Sequence, residues 1–216
     1  MLGLFDSGTG GVNTVRYLKE TNDDSDLVYL IDRSNAPYGI KTEQEILEIT
    51  KSNIRILTDM GAERVLIACC TASTVHEKLP ESEKSVSIPI IDTIADKAKS
   101  ATRSGRVGVI ATNHTVRTHA FAKALSGLYV REYGASELVD MIDGGVSDST
   151  VTSTDKEKIE SILEPTLTSG IDTLILGCTH FPAIIRTIDE ISKKYGNITL
   201  VDSARVGADI LKKLRT

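Results

Sequence analysis

Short apolar and β-branched runs recur along the chain: LGLFD from Leu2, LVYLI from Leu27, RVLIAC from Arg64, IPII from Ile88, RVGVI from Arg106, LYVRE from Leu128, DTLILGC from Asp172 and ITLVD from Ile198. Each has the length of a strand, and the longer stretches between them space their apolar residues as a helix does. Ile46, Ile49, Ile54, Leu57 and Met60 share one face ahead of Gly61, and Ile184, Ile185, Ile188 and Ile191 share one after Pro182. Both segments predict amphipathic helices that cover a sheet. Strands alternating with helices in this way predict an α/β fold with parallel sheets.

The pattern also repeats on a larger scale. GAERVLIACCTAS, from Gly61, aligns with GIDTLILGCTHFP, from Gly170, setting Cys69 on Cys178 at an offset of 109 residues. LGLFDSGTGG, from Leu2, aligns with VGVIATNHTV, from Val107, at an offset of 105 residues, and sets Asp6 and Ser7 opposite Ala111 and Thr112. Two matches at nearly one offset predict two similar parallel-sheet α/β lobes related by a pseudo-twofold axis, with a cleft between them. The expected division is residues 1–93 for the first lobe and 94–197 for the second, with a strand and helix over 198–216 packing back on the first.

Composition narrows the function. With 30 acidic against 25 basic side chains, and the basic ones scattered, no nucleic-acid partner is expected. No apolar run approaches the roughly 20 residues of a membrane span, so no leader, membrane helix or membrane partner is expected. Three cysteines, two of them adjacent, suit free thiols in a reducing cytoplasm better than a disulfide framework.

The two aligned cysteines carry the chemistry. Each ends an apolar strand and is followed at once by residues fit to start a helix, Thr71-Ala72-Ser73 after one and Thr179-His180-Phe181-Pro182 after the other. Parallel sheets place ligands at such strand ends, where helix N-termini offer free N–H groups to a carboxylate. The same setting lowers a thiol's pKa from about 8.5 toward roughly 3.5–7.5, which predicts a thiolate base at neutral pH. Two thiols facing each other across a cleft suit racemisation, in which one base removes an α-proton from one face and an acid returns a proton to the other. A lone cysteine in this position would be read as a small buried hydrophobe.

Asp6 closes the first strand ahead of Gly8, Gly10 and Gly11, and a helix follows with Asn13 or Thr14 near its start. The stretch is neither a dinucleotide fingerprint nor a P-loop. It predicts a tight turn with backbone close to a ligand, leaving Asp6 to bond a thiol or a substrate ammonium, or simply to cap the helix. His180 could polarise Cys178. His114 and His119 lack a matching ligand set, so no metal is expected, and Cys69-Cys70 is not the C-x-x-C of a redox motif.

Four motifs make the sequence resemble the glutamate racemases over nearly its whole length and in that family's order: FDSGTGG, NAPYGIKTEQEI, ACCTAS and LGCTHFP. VDSA from Val201 and ATNHTVRT from Ala111 resemble further family segments. The resemblance implies an isomerase that uses no cofactor and interconverts L- and D-glutamate, supplying D-glutamate for peptidoglycan in the cell wall, and acting as a cytoplasmic homodimer. It implies Cys69 and Cys178 as the acid/base pair, with Asp6 and His180 assisting. Ser7, Tyr38, Gly39, Thr71 and Thr179 would bind the amino acid, Pro37 would shape the substrate loop, and Thr112 and Thr115 would lie near the ligand. Asp143 falls where the family has a glutamate.

Two departures bear on the pocket. Cys70 stands where the family has asparagine, so an amide is replaced by a thiol that donates and accepts weakly. The segment ASELVDM, from Ala135, lacks the family's Cys-Pro-Leu. The chain is also shorter than most family members. The residues alone leave open the same chemistry on aspartate or another acidic amino acid, a non-catalytic amino-acid-binding homologue, and a redox role for Cys69 and Cys70.

Overall fold

A computed structural model describes residues 1–8, 10–20 and 26–214; Thr9 of the FDSGTGG motif lies outside them. Eight strands form two four-stranded, all-parallel sheets. In the first, β1 (Leu2–Asp6), β2 (Leu27–Ile31), β3 (Arg64–Ile67) and β4 (Ser87–Pro89) run in the order β2-β1-β3-β4. In the second, β5 (Arg106–Ala111), β6 (Tyr129–Gly134), β7 (Thr173–Gly177) and β8 (Thr199–Asp202) run in the order β6-β5-β7-β8. One topology is used twice, and the aligned segments of the repeat occupy equivalent strands: β1 with β5, β3 with β7.

The helices are α1 (Gly11–Lys19), α2 (Glu43–Asp59), α3 (Cys70–Ser73), α4 (Glu81–Lys84), α5 (Ile90–Ala101), α6 (Asn113–Thr118), α7 (Ala120–Ala124), α8 (Ser136–Asp143), α9 (Ser153–Leu167), α10 (Ile185–Ser192) and α11 (Ser203–Lys213). Among the described residues, no helix is long and apolar enough to cross a membrane. On α2 the expected face does the covering, with Ile46, Ile54 and Leu57 buried, while Met60 lies past the helix end and is exposed. Thr42 and Glu45 close a capping box that starts this helix directly after the Tyr38–Ile40 turn.

The central strands β1 and β7 are buried along their whole length, as parallel strands covered on both faces must be. One apolar cluster joins the lobes: Leu4 and Leu66 of the first sheet, Val107 and Ile175 of the second, and Ile90, Ile94, Val206 and Leu211 from α5 and α11. The two sheets therefore share helices. The division expected near residue 93 falls inside α5, which starts at Ile90 and packs against both α11 and β7.

The C-terminal segment divides between the lobes. Its strand, expected on the first lobe, pairs with β7 instead, Leu176 opposite Asp202. The open edge of β7 supplies the backbone partners that a strand needs, and a helix needs none from outside. Only α11 returns, packing on α1, where Tyr17 donates to Asp202 at 2.8 Å and Arg205 stacks over the Tyr17 ring.

Candidate active site

Both aligned cysteines leave the C-terminal ends of equivalent strands and line one cavity of about 290 Å³ between the lobes. Cys69 follows β3 and immediately precedes α3; Cys178 follows β7. Each is nearly covered, at 5% and 7% exposure. They are close enough that negative charge on Cys69 raises the pKa of Cys178. All three cysteines are free thiols.

Each thiol has its own partner. Cys69 Sγ donates to Ser7 Oγ at 3.4 Å, and the N–H groups of Ala72 and Thr71 also favour its thiolate. Cys178 Sγ lies 3.6 Å from His180 Nδ1, and His180 Nε2 lies 3.4 Å from Asp143 Oδ1. A thiol, an imidazole and a carboxylate are thus in line on the second lobe. Among the described residues, hydroxyl and backbone groups alone hydrogen-bond the thiol on the first.

The expected lowering of the thiol pKa values is overturned. Burial pushes Cys69 up from 9.0 to about 11, with the charge of Asp6 adding to the rise, and burial raises Cys178 further still. A thiolate in a dry cleft loses its hydration, and two or three N–H groups do not replace it. Cys70 is raised as well, again chiefly by burial.

Asp6 is fully buried and does not line the cavity. Its Oδ1 accepts from Gly8 N at 3.0 Å and its Oδ2 from Thr179 Oγ1 at 2.9 Å, so it bonds neither Cys69 nor Cys178. Burial raises its pKa; the charge of His180 and these hydrogen bonds oppose the rise. Glycine at position 10 is required by the same contact, because a Cβ there would collide with the Thr179 side chain. Asn13 adds a bond from its amide to the Thr179 carbonyl at 3.1 Å.

The other expected residues divide by depth. Ser7, Pro37, Gly39, Cys70, Thr71, Thr112, Thr179 and His180 line the cavity. Thr115 sits behind it, bonded to Thr112 at 3.0 Å and to Thr71 at 3.2 Å in a buried hydroxyl cluster that spans the lobes. Tyr38 lines the cavity, but its hydroxyl is committed elsewhere: it donates to Asp32 Oδ2 at 2.6 Å and accepts from Asn53 at 2.9 Å. Among the described residues no group of His, Cys, Asp or Glu could hold a metal; His119 pairs with Glu132 at 2.8 Å.

Sequence reasoning missed Arg33, Ser136 and Asp140 at the cavity and Asp32 and Asn53 behind Tyr38. Arg33 follows the end of β2, as Cys69 follows β3, so the strand-end rule would have found it. Asp140 stands three residues before Asp143 on α8, the spacing of one helical face.

Comparison with known proteins settles the family. The sequence model of the family described as Asp/Glu/Hydantoin racemase matches residues 12–211. The chain belongs to this racemase family. It is 35% identical to a glutamate racemase of Neisseria meningitidis over 96% of this chain and 77% of that one. Against the glutamate racemase of Desulforudis audaxviator it is 36% identical, covering 94% of this chain and 74% of the other. Among solved structures, the glutamate racemase of Francisella tularensis in complex with D-glutamate superposes with a TM-score of 0.84 at 27% identity, covering 99% and 80% of the two chains. As a racemase, the protein is an isomerase.

Proposed function

We propose that this racemase interconverts L- and D-glutamate by proton transfer between Cys69 and Cys178. The observation that carries the reading is that the two thiols, from equivalent strand ends of two repeated lobes, open on one cavity. The relatives named as glutamate racemases support the choice of substrate.

One thiolate takes the α-proton and becomes a thiol, and the electron pair passes into the substrate's carboxylate as an enediolate. The opposite thiol gives its proton to the other face of the α-carbon and becomes the thiolate. Either may begin, which is why one site serves both enantiomers. Burial makes the first thiolate costly, so the cleft must supply compensation as it forms. Ser7 and the N–H groups of Thr71 and Ala72 stabilise it at Cys69, whereas His180 is placed to accept the Cys178 proton with Asp143 stabilising the imidazolium. The substrate's ammonium adds positive charge in the same space. Hydroxyls of Thr71, Thr112 and Thr179 offer polar contacts to the bound amino acid. With this reading go supply of D-glutamate for peptidoglycan, a cytoplasmic setting in keeping with free thiols, and a homodimer.

The test is α-proton exchange in D₂O with L- and D-glutamate, followed by NMR and optical rotation, for the native chain, Cys69→Ser and Cys178→Ser. Exchange with inversion, lowered at least about a hundredfold by either substitution, is expected. Exchange on aspartate but not glutamate would move the substrate assignment, and binding of glutamate without exchange would end the catalytic one.

A further inference from the structure

We propose that Arg33 is a specificity-determining residue, binding the distal carboxylate of an acidic substrate at the cavity; the inference rests on the acidic-substrate reading above. A dicarboxylic amino acid brings two carboxylates and one ammonium into a space that already holds acids. Asp140 and Asp143 of α8 line it from the second lobe. The lining hydroxyls that could donate to a carboxylate, Ser7, Thr71 and Thr112, are neutral, and the His180 ring is engaged by Cys178 and Asp143. Hydroxyls and N–H groups suffice for the carboxylate next to the reacting carbon, but they do not distinguish an acid from its amide at the far end.

Among the described residues that line the cavity, Arg33 carries the one guanidinium. It comes from the first lobe, in the short 3-10 turn Arg33–Asn35 that directly follows Asp32 at the end of β2. No hydrogen bond or ion pair engages its guanidinium among the described residues, while other surface arginines are taken up: Arg55 by Glu83 and Arg186 by Asp148. Its charge reaches the interior, where it acts on the Tyr29 hydroxyl. That hydroxyl itself donates to the carbonyl of Gly8, a cavity residue. A planar fork with free donors on the first lobe, in a cavity that two acids of the second lobe also line, directs a distal carboxylate to the first-lobe wall. The acids of α8 add to the discrimination, because a distal carboxylate turned toward them is repelled.

The experiment compares the native chain with Arg33→Gln and Arg33→Lys by glutamate α-proton exchange at several ionic strengths. For Arg33→Gln we expect KM for L-glutamate to rise about tenfold, with the smaller change in kcat, because one charge-assisted pair is lost from the ground state and the transition state alike. Arg33→Lys should recover part of that affinity, since it restores the charge but not the fork. The native KM should climb with salt, and the glutamine variant's should climb less. An unchanged KM in Arg33→Gln, or a lysine variant as impaired as the glutamine one with the native salt dependence intact, would overturn the proposal while leaving the racemase reading in place. A native chain inactive on glutamate would instead remove the reading on which it rests.

Discussion

The Thr179 hydroxyl of the second lobe donates to the buried Asp6 carboxylate of the first at 2.9 Å, one residue from Cys178 on one side and, on the other, one residue from Ser7, which accepts from Cys69. Asp6 is therefore a positioning residue: it fixes the Gly8 turn and the loop after Cys178 with one side chain. Its charge is held at a cost, since burial raises its pKa. The sign of the linkage follows: a carboxyl whose folded pKa is raised favours folding most at low pH and loses that contribution as pH rises through the folded value. Asp6→Asn can keep both contacts, its oxygen accepting from Gly8 and its amide donating to Thr179. We expect unchanged or higher thermal stability at neutral pH together with a kcat within about threefold of native, read by calorimetry and exchange kinetics. A much larger fall in kcat would show that the charge of Asp6, and not its contacts, takes part in the proton transfer. A large loss of stability would show that the charge itself holds the lobes together.

The thiols set the pH dependence. With Cys69 pushed from 9.0 to about 11 by burial, its thiolate is scarce at neutral pH and increases as pH rises. The free-enzyme parameter kcat/KM should accordingly climb by up to about tenfold per pH unit between about pH 7 and 9, and alkylation by iodoacetamide should follow it. Stability runs the other way: the folded state holds this proton longer than the unfolded chain, so the contribution is complete below 9.0 and fades as pH approaches about 11. A kcat/KM profile already flat from pH 6 would mean a thiolate present at rest and would contradict the burial argument.

All eight strands stand where short apolar runs put them; the central β1, β5 and β7 read as continuous apolar runs because both their faces are covered, whereas the edge strand β6 keeps an exposed residue at every other position of its first half. IPII overran by two residues: Ile90 and Ile91 begin α5, and a run of four apolar residues carries no period to tell strand from helix. The cysteines were legible as a pair through the repeat. What the residues could not reveal is what each polar end already touches. The hydroxyl of Tyr38 is claimed by Asp32, Asp6 by Thr179, and the sign of the thiol shifts depends on how completely neighbouring lobes cover them. Such facts belong to contacts between segments far apart in the chain.

Tyr38 illustrates the consequence for the substrate loop. Its hydroxyl sits between the Asp32 carboxylate and the Asn53 amide, and Asn53 also reaches Asp32 at 3.1 Å, so a helix, a strand end and the loop meet in one buried network. Asp32 keeps a lowered pKa although its burial works against it, because Tyr38, Asn53 and Asn35 all donate to it. Tyr38→Phe removes one donor from a buried charge and should cost about 1–3 kcal/mol in denaturant unfolding. Loosening the loop should also raise KM for glutamate. Since the network holds Asp32 below its usual value, native stability is present above the unfolded carboxyl pKa and is lost as pH falls through the folded one; Tyr38→Phe should begin to unfold at a higher pH on acidification.

Cys70 separates affinity from stability. It is only 2% exposed and belongs to the apolar cluster with Ala68, Ile90 and Ala111, yet it also lines the cavity. A thiol suits the first environment and serves the second poorly. In Cys70→Asn, an amide reaching the cavity should add a hydrogen bond to bound glutamate worth about 0.5–1.5 kcal/mol, lowering KM by roughly two- to tenfold. The same amide, larger and polar, enters the cluster between the lobes and should cost about 1–3 kcal/mol in unfolding free energy. Cys70→Ala is the control: it should leave kcat within about threefold, because no proton transfer passes through this thiol. If Cys70→Asn gains no affinity, the side chain at this position does not reach the substrate, and the thiol is there to pack. If Cys70→Ala abolishes exchange, the proton path runs through Cys70 and the pairing of Cys69 with Cys178 is wrong.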